Sequence, residues 1–589
     1  MKWITRPKKI KYGTFFTSAA IAAFLIFLCI VFGLRKIPAP QIWKGQPQFV
    51  APKAFAWAKT LSEKFENRMT WRPERRAAAE YIKGEFRKLG YEPQGMLFSE
   101  VIGGKHFNGL ENIYAVLPGA GASQEYVVIC AHYDITDTTI QGASDDASGV
   151  GVVLELARVF KQGPAPRHNI VFLITDSEEF GAFWGAKNFI EKYPNTNQII
   201  AAISLDFVAP DKQKDILILT DGLKEGYTPL WLREMALGSV RKVPYGADDM
   251  KHIVEWVQRA ILIPAADHGA FLQAGIPALN FFGRSTDFAY EMAKIHHMPE
   301  DNMSHLHVES FEPYGKGAET LLRSIDSLAS EPPAQAEYLK VTDHHYLTGL
   351  SIHLIHDLLF LPFGIYVFIL FRRIRKNNLQ FIRAVAWLEI KKYGALFGSL
   401  LTGYGALRLL PRLNIITRYE LFPATQKSIL LYHPKWGAIL LIFAVVVGAN
   451  YFLNRFFTKR EERWDAAHHA HLVEIRHCLM GIILGVIIFL AFLENSWAGT
   501  LLLIPPAYLW MFMKNNRRFD SKLLNALLFF GGLISFVALC MLMAMIFHVG
   551  IFYWYLFLAS AYGLISMYAA ILAFAVIAVG VRIVKHLIW

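Results

Sequence analysis

The sequence predicts two kinds of fold in one chain: an α/β domain with a mostly parallel mixed sheet flanked by helices, and an α-helical polytopic transmembrane domain. The middle of the chain, residues 50–335, has mixed charge and alternating strand-like and helical hydrophobic periods, whereas long apolar runs lie on both sides of it. Of the 589 residues, 54% are hydrophobic and 18% are charged. This composition argues against a disordered chain, a fibrous protein and a wholly soluble enzyme.

The amino terminus predicts a membrane anchor. Residues 1–13 form a basic tail without acidic side chains, and residues 14–34 are an uncharged run long enough to cross roughly 30 Å of hydrocarbon as a helix. A cleaved signal peptide is the alternative, but its apolar region usually has only about 7–15 residues. A basic flank keeps this end in the cytoplasm, so we expect the domain that follows to be exported.

The carboxy-terminal part, residues 346–589, predicts about seven further membrane helices. They are expected near 347–370, 395–410, 436–453, 477–493, 498–513, 523–547 and 553–581. Alternating these spans places five segments in the cytoplasm, which hold 23 Lys and Arg residues but 6 Asp and Glu residues. The formal charge of +12 therefore indicates membrane topology, not nucleic-acid binding. We expect a bacterial inner-membrane protein with a periplasmic middle domain; an organelle membrane with a lumenal domain is the alternative.

Within the middle domain, four apolar, β-branched runs predict buried strands. These runs cover residues 126–131, 169–175, 200–205 and 277–282. Helical periods follow the first two, over residues 147–161 and 181–192. Alternation of strands and helices is typical of a mostly parallel sheet covered on both faces.

Polar side chains follow three of these strands directly. His132 comes after the first strand, Glu178 and Glu179 after the second and Asp206 after the third, while a glycine-bounded loop at 142–149 adds two more acids. Sites in α/β sheets lie at the carboxyl ends of strands, so these side chains are expected to converge. Each one alone is more often a turn or helix-capping residue, but their recurrence indicates a metal centre. Histidine and carboxylate ligands without a CxxC pair favour catalytic Zn²⁺, Mn²⁺ or Co²⁺ over a structural zinc.

These motifs, taken in order, resemble the clan MH co-catalytic dizinc exopeptidases. That group includes bacterial aminopeptidases, glutamate carboxypeptidase and the endoplasmic reticulum metallopeptidase. The matching motifs are His132-Tyr133-Asp134, the loop at 142–149, Glu178-Glu179-Phe180-Gly181, Leu205-Asp206 and residues 297–301. The similarity covers roughly residues 55–330.

The resemblance implies two zinc ions and a role for each of the matching side chains. His132 and Asp206 would bind one metal, Glu179 and His297 the other, and Asp145 would bridge them. Glu178 would be the general base that takes a proton from the metal-activated water. Asp134 would orient His132, Asp301 would orient His297, and the peptide bond after Asp145 would be cis.

The last metal ligand and the substrate class leave alternatives open. His296 is the alternative to His297, although the His-x-x-x-Asp spacing selects His297 with Asp301. The leading function is a membrane-anchored aminopeptidase that acts on peptides outside the cytoplasm. Alternatives are a carboxypeptidase or dipeptidase, a glutaminyl cyclase on the same fold, and a receptor or transport-associated protein without activity. The expected partners are peptide substrates and the lipid bilayer; the residues that bind the substrate are not identified.

Overall fold

The structure is a computed structural model. In it the chain forms two compact units. One is formed by residues 36–346, and the other by residues 13–35 with the described residues from 347 onward. The structure describes residues 13–585 apart from 103–104, 122, 137, 180–182, 212, 223–225, 244–245, 250–251, 261–265, 330–331, 333–336, 376–378, 414, 417–434, 458–465, 514–518, 547–555, 559 and 562–566. Residues 1–12 of the predicted basic tail, the Phe180-Gly181 pair and parts of the predicted last two spans lie outside the described residues.

The elements up to residue 348 contain eleven described strands. In chain order the elements are α1 (Gly13–Gly33), β1 (Leu34–Lys36), α2 (Ala51–Lys64), α3 (Glu74–Lys88), β2 (Gln94–Ile102), β3 (Lys105–Leu117), β4 (Tyr126–His132), a turn (Ala143–Ala147), α4 (Ser148–Gln162), β5 (Asn169–Thr175), α5 (Trp184–Lys192), β6 (Ile199–Asp206), β7 (Gln213–Leu219), α6 (Leu230–Val240), β8 (Ala247–Asp248), α7 (His252–Ala260), α8 (His268–Gln273), β9 (Ala278–Ser285), α9 (Phe288–Lys294), α10 (Val308–Asp326), β10 (Tyr338–Thr342) and β11 (His345–Thr348).

Eight strands form one mixed sheet in the order β2-β3-β5-β4-β6-β9-β7-β8. The four central strands, β5, β4, β6 and β9, run parallel to one another. Antiparallel pairing joins β3 to β5 on one side and β7 to β9 on the other. The predicted α/β fold is confirmed, and the four predicted strands are its parallel centre.

Helices cover both faces of this sheet because the central strands are apolar on both sides. In β4, Val127 and Ile129 pack into the larger core with residues of α2, α4, α6 and α10. Val128 and Cys130 point the other way, into a core with residues of α5 and α8. Burial on both faces is what the continuous apolar runs predict for parallel strands.

The described part of the second unit after residue 348 consists of helices and the turns between them. Its helices are α11 (Gly349–Arg375), α12 (Leu379–Leu409), α13 (Trp436–Phe457), α14 (Ala466–Ala498), α15 (Ile504–Met511), α16 (Phe519–Ile546) and α17 (Met567–Ile583). A π-helical turn joins α14 to α15, and Asn495 near the end of α14 has non-helical angles.

Four helical segments of the described chain are long and apolar enough to cross a membrane. They are Gly13–Gly33, Gly349–Arg375, Trp436–Phe457 and Glu474–Met511. The first is the predicted anchor, and the last covers two predicted spans. The total of about seven carboxy-terminal spans and the side on which each loop lies stay predictions.

Candidate metal centre

The fold brings all the predicted ligands to one edge of the sheet. β4 and β6 end in two of them, a third and a fourth follow β5, and the others lie in the turn before α4 and in the turn after α9. Because β4, β5 and β6 are parallel, their carboxyl ends meet at this edge. The converging side chains are those of His132, Asp145, Glu178, Glu179, Asp206 and His297.

One half of the centre surrounds the His132 ring. Its Nε2 atom lies 3.1 Å from Asp145 Oδ1, 3.8 Å from Asp206 Oδ1 and 4.0 Å from Glu178 Oε2. All four side chains are buried. One imidazole nitrogen therefore faces three carboxylates in a region that water reaches poorly.

The other half surrounds the His297 ring. Its Nε2 atom lies 3.1 Å from Asp145 Oδ2 and 3.2 Å from Glu179 Oε2. Nε2 of the alternative ligand, His296, lies 3.5 Å from the same Asp145 oxygen. The two oxygens of Asp145 thus face different imidazoles, and His297 contacts both acids expected at the second metal.

Asp134 connects the two halves through both its carboxylate and its backbone. Its carbonyl oxygen lies 3.1 Å from Nδ1 of His132. Its carboxylate accepts hydrogen bonds from the backbone N–H groups of Glu178 at 3.1 Å and Glu179 at 3.3 Å. The predicted partner of His132 therefore also fixes the turn that carries both glutamates.

Asp301 supports the loop that carries Asp145. Its carboxylate accepts hydrogen bonds from the backbone N–H groups of Ser144 at 2.7 Å and Asp145 at 3.0 Å. It therefore orients the loop that presents Asp145, and its expected role in orienting His297 stays a prediction.

Asp146 holds the ends of two strands and the start of α4. Its carboxylate accepts from the backbone N–H groups of His132 at 3.2 Å, Gly149 at 2.8 Å and Phe207 at 3.3 Å. The peptide bond between Asp145 and Asp146 is cis, as the resemblance implies. Asp146 therefore caps the start of α4, as expected of an acid before a helix. The side chain of Asp145 points instead toward the imidazoles.

Two buried arginines support the centre without pointing at it. Arg68 donates from Nε to the Tyr133 carbonyl at 2.7 Å and from a terminal nitrogen to the Gly142 carbonyl at 2.7 Å. Burial lowers the pKa of Arg68 to about 10, although the Asp301 carboxylate opposes that shift. Arg75 forms a buried ion pair with Asp176. No motif in the sequence marks either arginine, because their partners lie far away along the chain.

Three residues at the centre other than glycine have positive φ angles. They are Ser177 (φ 62°), Phe207 (φ 63°) and His297 (φ 58°). Such conformations cost roughly 1–3 kcal/mol each and occur preferentially at functional sites. Each of the three is, or directly adjoins, a residue proposed to bind metal or act as a base.

Burial and mutual pairing shift the pKa values of the centre strongly. Burial raises the pKa of Glu178 well above its ordinary value and that of Glu179 to about 7. Burial opposes protonation of His132 and His297, but the neighbouring Glu178 and Glu179 carboxylates raise both imidazole pKa values. Burial would also raise the pKa of Asp145, but hydrogen bonds from both imidazoles lower it well below its ordinary value. The ionised forms of the buried acids are therefore favoured only where a positive charge lies beside them.

The donor set fits divalent metal ions. Three groups of side chains bring their ligand atoms within 4.8 Å of one another: Asp145 with His296 and His297, His132 with Asp145 and Glu179, and His132 with Asp146 and Asp206. Imidazole nitrogen and carboxylate oxygen are ligands of catalytic zinc and also suit Mn²⁺ or Co²⁺. These groups overlap at Asp145 and His132, as expected of adjacent metal positions.

Part of this chain is similar to known proteins. Residues 112–321 match the family model described as Peptidase family M28. The chain is 28% identical over 200 residues to the alkaline phosphatase isozyme conversion protein of Escherichia coli, covering 30% of this chain and 55% of that protein. It is 28% identical over 214 residues to a probable zinc metalloprotease of Pyrenophora tritici-repentis, covering 32% and 49%. It thus spans about half the length of these relatives.

A further relative is a metallopeptidase of the mouse. The endoplasmic reticulum metallopeptidase 1 of Mus musculus is 26% identical over 246 residues, which is 40% of this chain and 25% of that protein. Among solved structures, a zinc aminopeptidase from Bacillus subtilis is 16% identical with a TM-score of 0.40, covering 51% of this chain and 98% of that one. A glutaminyl cyclase from Bacteroides thetaiotaomicron is 20% identical with a TM-score of 0.39, covering 47% and 99%. The buried imidazole–carboxylate centre thus lies within the part of the chain that matches peptidase family M28.

Proposed function

We propose that this protein is a membrane-anchored zinc exopeptidase, most specifically an aminopeptidase. Membership of peptidase family M28 implies a hydrolase. The observation that carries the finer proposal is the position of Asp145, whose two carboxylate oxygens each lie 3.1 Å from a different imidazole nitrogen. A carboxylate shared in this way is what two adjacent metal ions need as a bridge.

Two zinc ions would be held by two sets of ligands that share Asp145. His132 and Asp206 would hold one ion, and Glu179 and His297 the other; Mn²⁺ or Co²⁺ are alternatives with the same ligands. When bound, the metals would lower the pKa of a water molecule and polarise the carbonyl group of the substrate. The protein's own contribution is to fix the ligand positions through Asp134, Asp146 and Asp301.

Glu178 is proposed to be the general base. Its carboxylate is buried beside the His132 ring without being needed as a bridge, and burial raises its pKa well above the ordinary value. A carboxylate of raised pKa can take a proton from water and deliver it to the departing amine. The hydrogen bond from its backbone to Asp134 fixes the position from which both transfers would occur.

The partners of the described arginines favour a substrate with a free amino group over one with a terminal carboxylate. A carboxypeptidase needs an arginine or lysine to bind the terminal carboxylate of its substrate. Three described arginines of this domain are already engaged: Arg68 by three carbonyls, Arg75 by Asp176, and Arg284 by Asp215 and by Asp248. With these arginines engaged, a free amino terminus is favoured over a terminal carboxylate as the group that the site recognises.

The membrane setting of this activity follows from the sequence. The charge bias of the predicted loops supports a catalytic domain outside the cytoplasm, which would be the periplasm in a bacterium and the lumen in an organelle. The four long apolar helical segments support attachment to a lipid bilayer. Peptides outside the cytoplasm are therefore the proposed substrates.

The full chain, purified in detergent, tests this proposal. Metal content is measured, and release of amino acids is followed from peptides with free, amino-blocked and carboxyl-blocked ends. We expect about two zinc ions, cleavage of carboxyl-blocked but not amino-blocked peptides, and loss of cleavage in Glu178→Gln with zinc retained. Glu125→Gln is the matched control, since Glu125 lies just before β4 at the opposite end of the strands.

Each alternative has its own outcome in the same experiment. Cleavage of amino-blocked peptides alone identifies a carboxypeptidase, and cyclisation of amino-terminal glutamine with release of ammonia identifies a glutaminyl cyclase. A protein that binds metal but transforms none of these substrates contradicts the enzyme proposal and favours the receptor or transport alternative.

A further inference from the structure

His296 precedes the proposed metal ligand His297, and the side chains of both residues face the same acid. The two rings stack with centroids 3.8 Å apart and an angle of 23° between their planes. The Nε2 atoms of His296 and His297 lie 3.5 Å and 3.1 Å from the same oxygen, Oδ2 of Asp145. Two imidazoles therefore converge on one carboxylate oxygen.

The backbone produces this convergence. Consecutive side chains normally diverge in a strand or a helix, but His297 has a left-handed φ of 58°. The His297 carbonyl accepts a hydrogen bond from the Thr138 hydroxyl at 2.9 Å, and the His296 N–H donates to the Glu291 carbonyl at 3.0 Å. Both ends of the histidine pair are thus fixed by residues outside it.

Aromatic packing fixes the His296 ring as well. The ring meets Phe207 edge-to-face at 5.3 Å and Phe282 at 6.2 Å. Those two phenylalanines stack on each other at 4.8 Å. Since one side of the ring contacts His297 and another contacts this aromatic pair, its Nε2 atom is directed by packing toward the acid.

The distances match those between ligands of one tetrahedral metal ion. With metal–ligand bonds of about 2.0–2.1 Å, neighbouring ligand atoms in a tetrahedron lie roughly 3.3–3.4 Å apart. The three separations measured here are 3.1 Å from His297 to Asp145, 3.2 Å from His297 to Glu179 and 3.5 Å from His296 to Asp145. We propose that His296 is a fourth protein ligand of the metal bound by Asp145, Glu179 and His297.

This inference rests on the proposed metal centre but not on peptide hydrolysis. It makes the centre asymmetric, because the position beside His132 keeps three protein ligands whereas the position beside His297 gains a fourth. Catalytic zinc sites usually have three protein ligands and an open position, and sites with four protein ligands retain their metal. The metal beside His297 is therefore expected to bind more tightly and to exchange more slowly than in His296→Phe.

The test uses the full chain in detergent, freed of metal with a chelator and titrated with Co²⁺. Phenylalanine preserves the ring that packs on Phe207 and removes the ligating nitrogen, so His296→Phe separates packing from coordination. We expect the visible absorption of the bound Co²⁺ to change in position and intensity in His296→Phe. We also expect the affinity of one of the two sites to fall by at least ~10-fold. His305→Phe is the control, because His305 contacts Asp211 outside the centre.

Three outcomes would overturn the inference. They are an unchanged Co²⁺ spectrum and affinity in His296→Phe, equal changes in His305→Phe, and binding of fewer than two Co²⁺ ions by the wild type. An unchanged spectrum with reduced peptide cleavage would assign His296 to the substrate instead. A changed spectrum in a wild type that cleaves no peptide would retain the ligand and refute the proposed peptidase, so the two failures are distinguishable.

Discussion

Replacing Asp134 with asparagine tests whether one buried carboxylate aligns both halves of the metal centre. Asp134 is fully buried and accepts backbone hydrogen bonds from Glu178 at 3.1 Å and Glu179 at 3.3 Å. Asparagine has the same shape but only one acceptor oxygen, so its amide N–H₂ must face one of these N–H donors. The variant therefore loses one charge-assisted hydrogen bond and leaves one buried donor without an acceptor.

The size of the effect follows from these contacts. A hydrogen bond to a charged group contributes about 1.5–3 kcal/mol, and an unsatisfied buried donor costs a similar amount. Loss of a partner that orients metal ligands typically lowers metal affinity about 10–100-fold, which corresponds to about 1.4–2.8 kcal/mol. We therefore expect Asp134→Asn to bind zinc about 10–100-fold more weakly and to lose hydrolysis in proportion to the metal lost at each zinc concentration.

Zinc affinity is measured by competition with a chromogenic chelator, using the purified full chain. Asp326→Asn is the matched control, because Asp326 also accepts a backbone N–H, that of His168 at 2.9 Å, but does so at the amino end of β5. Equal zinc affinity in Asp134→Asn and the wild type would refute the argument that Asp134 aligns the ligands. Equal weakening in both variants would show a general loss of stability instead.

Three further substitutions test the packing around the centre and in the membrane unit. Burial raises the pKa of the Glu291 carboxyl to about 7 in the folded chain. In the unfolded chain the same carboxyl loses its proton at about pH 4.5, so between these two pH values only the folded state keeps the proton. The wild type therefore loses stability as the pH rises from about 4.5 toward 7. The free energy of unfolding of Glu291→Gln should exceed that of the wild type by about 3 kcal/mol at pH 8 but by little at pH 4, measured by thermal unfolding. Gly149→Ala places a methyl group against the Asp146 carboxylate and the Leu205 carbonyl, and should cost about 1–3 kcal/mol by the same measurement. Glu389→Gln leaves Arg476 and Arg582 without their buried carboxylate and should destabilise the helical unit by about 3–5 kcal/mol, seen as a lower melting temperature in detergent.

Each of these predictions has an outcome that contradicts it. A stability difference between Glu291→Gln and the wild type that does not change with pH would show that the carboxyl is not protonated in the folded chain. An unchanged melting temperature in Gly149→Ala would show that the first turn of α4 moves freely away from Asp146 and Leu205. If Glu389→Gln melts like the wild type, the two arginines find other partners, and Glu389→Ala would then behave in the same way.

Much of the α/β fold could be predicted because the parallel strands are continuous apolar runs. The predicted strand at 169–175 matches β5 residue for residue, and the predicted strand at 126–131 is one residue shorter than β4. The flanking strands β2 and β3 were not predicted. They form an antiparallel pair at the sheet edge, where Leu97 is exposed and charged residues interrupt the pattern, so no apolar run marks them.

The sequence by itself determined which side chains follow the central strands, since a strand and its last residue are local features. His132, Glu178, Glu179 and Asp206 could be selected in this way, before any long-range contact was known. Their convergence then required only that the strands be parallel.

Only the tertiary structure decided how these groups are supported. That the carboxylate of Asp301 holds the Asp145 loop, that Arg68 is buried beneath it, and that His296 shares an oxygen with His297 are contacts between segments distant in the chain or set by one backbone angle. Hydrophobic periodicity reports which face of an element is buried, but it carries no information about which distant backbone group a buried side chain meets. The supporting contacts of the centre were therefore decided by the packing of the loops, whereas the identity of its ligands could be read along the chain.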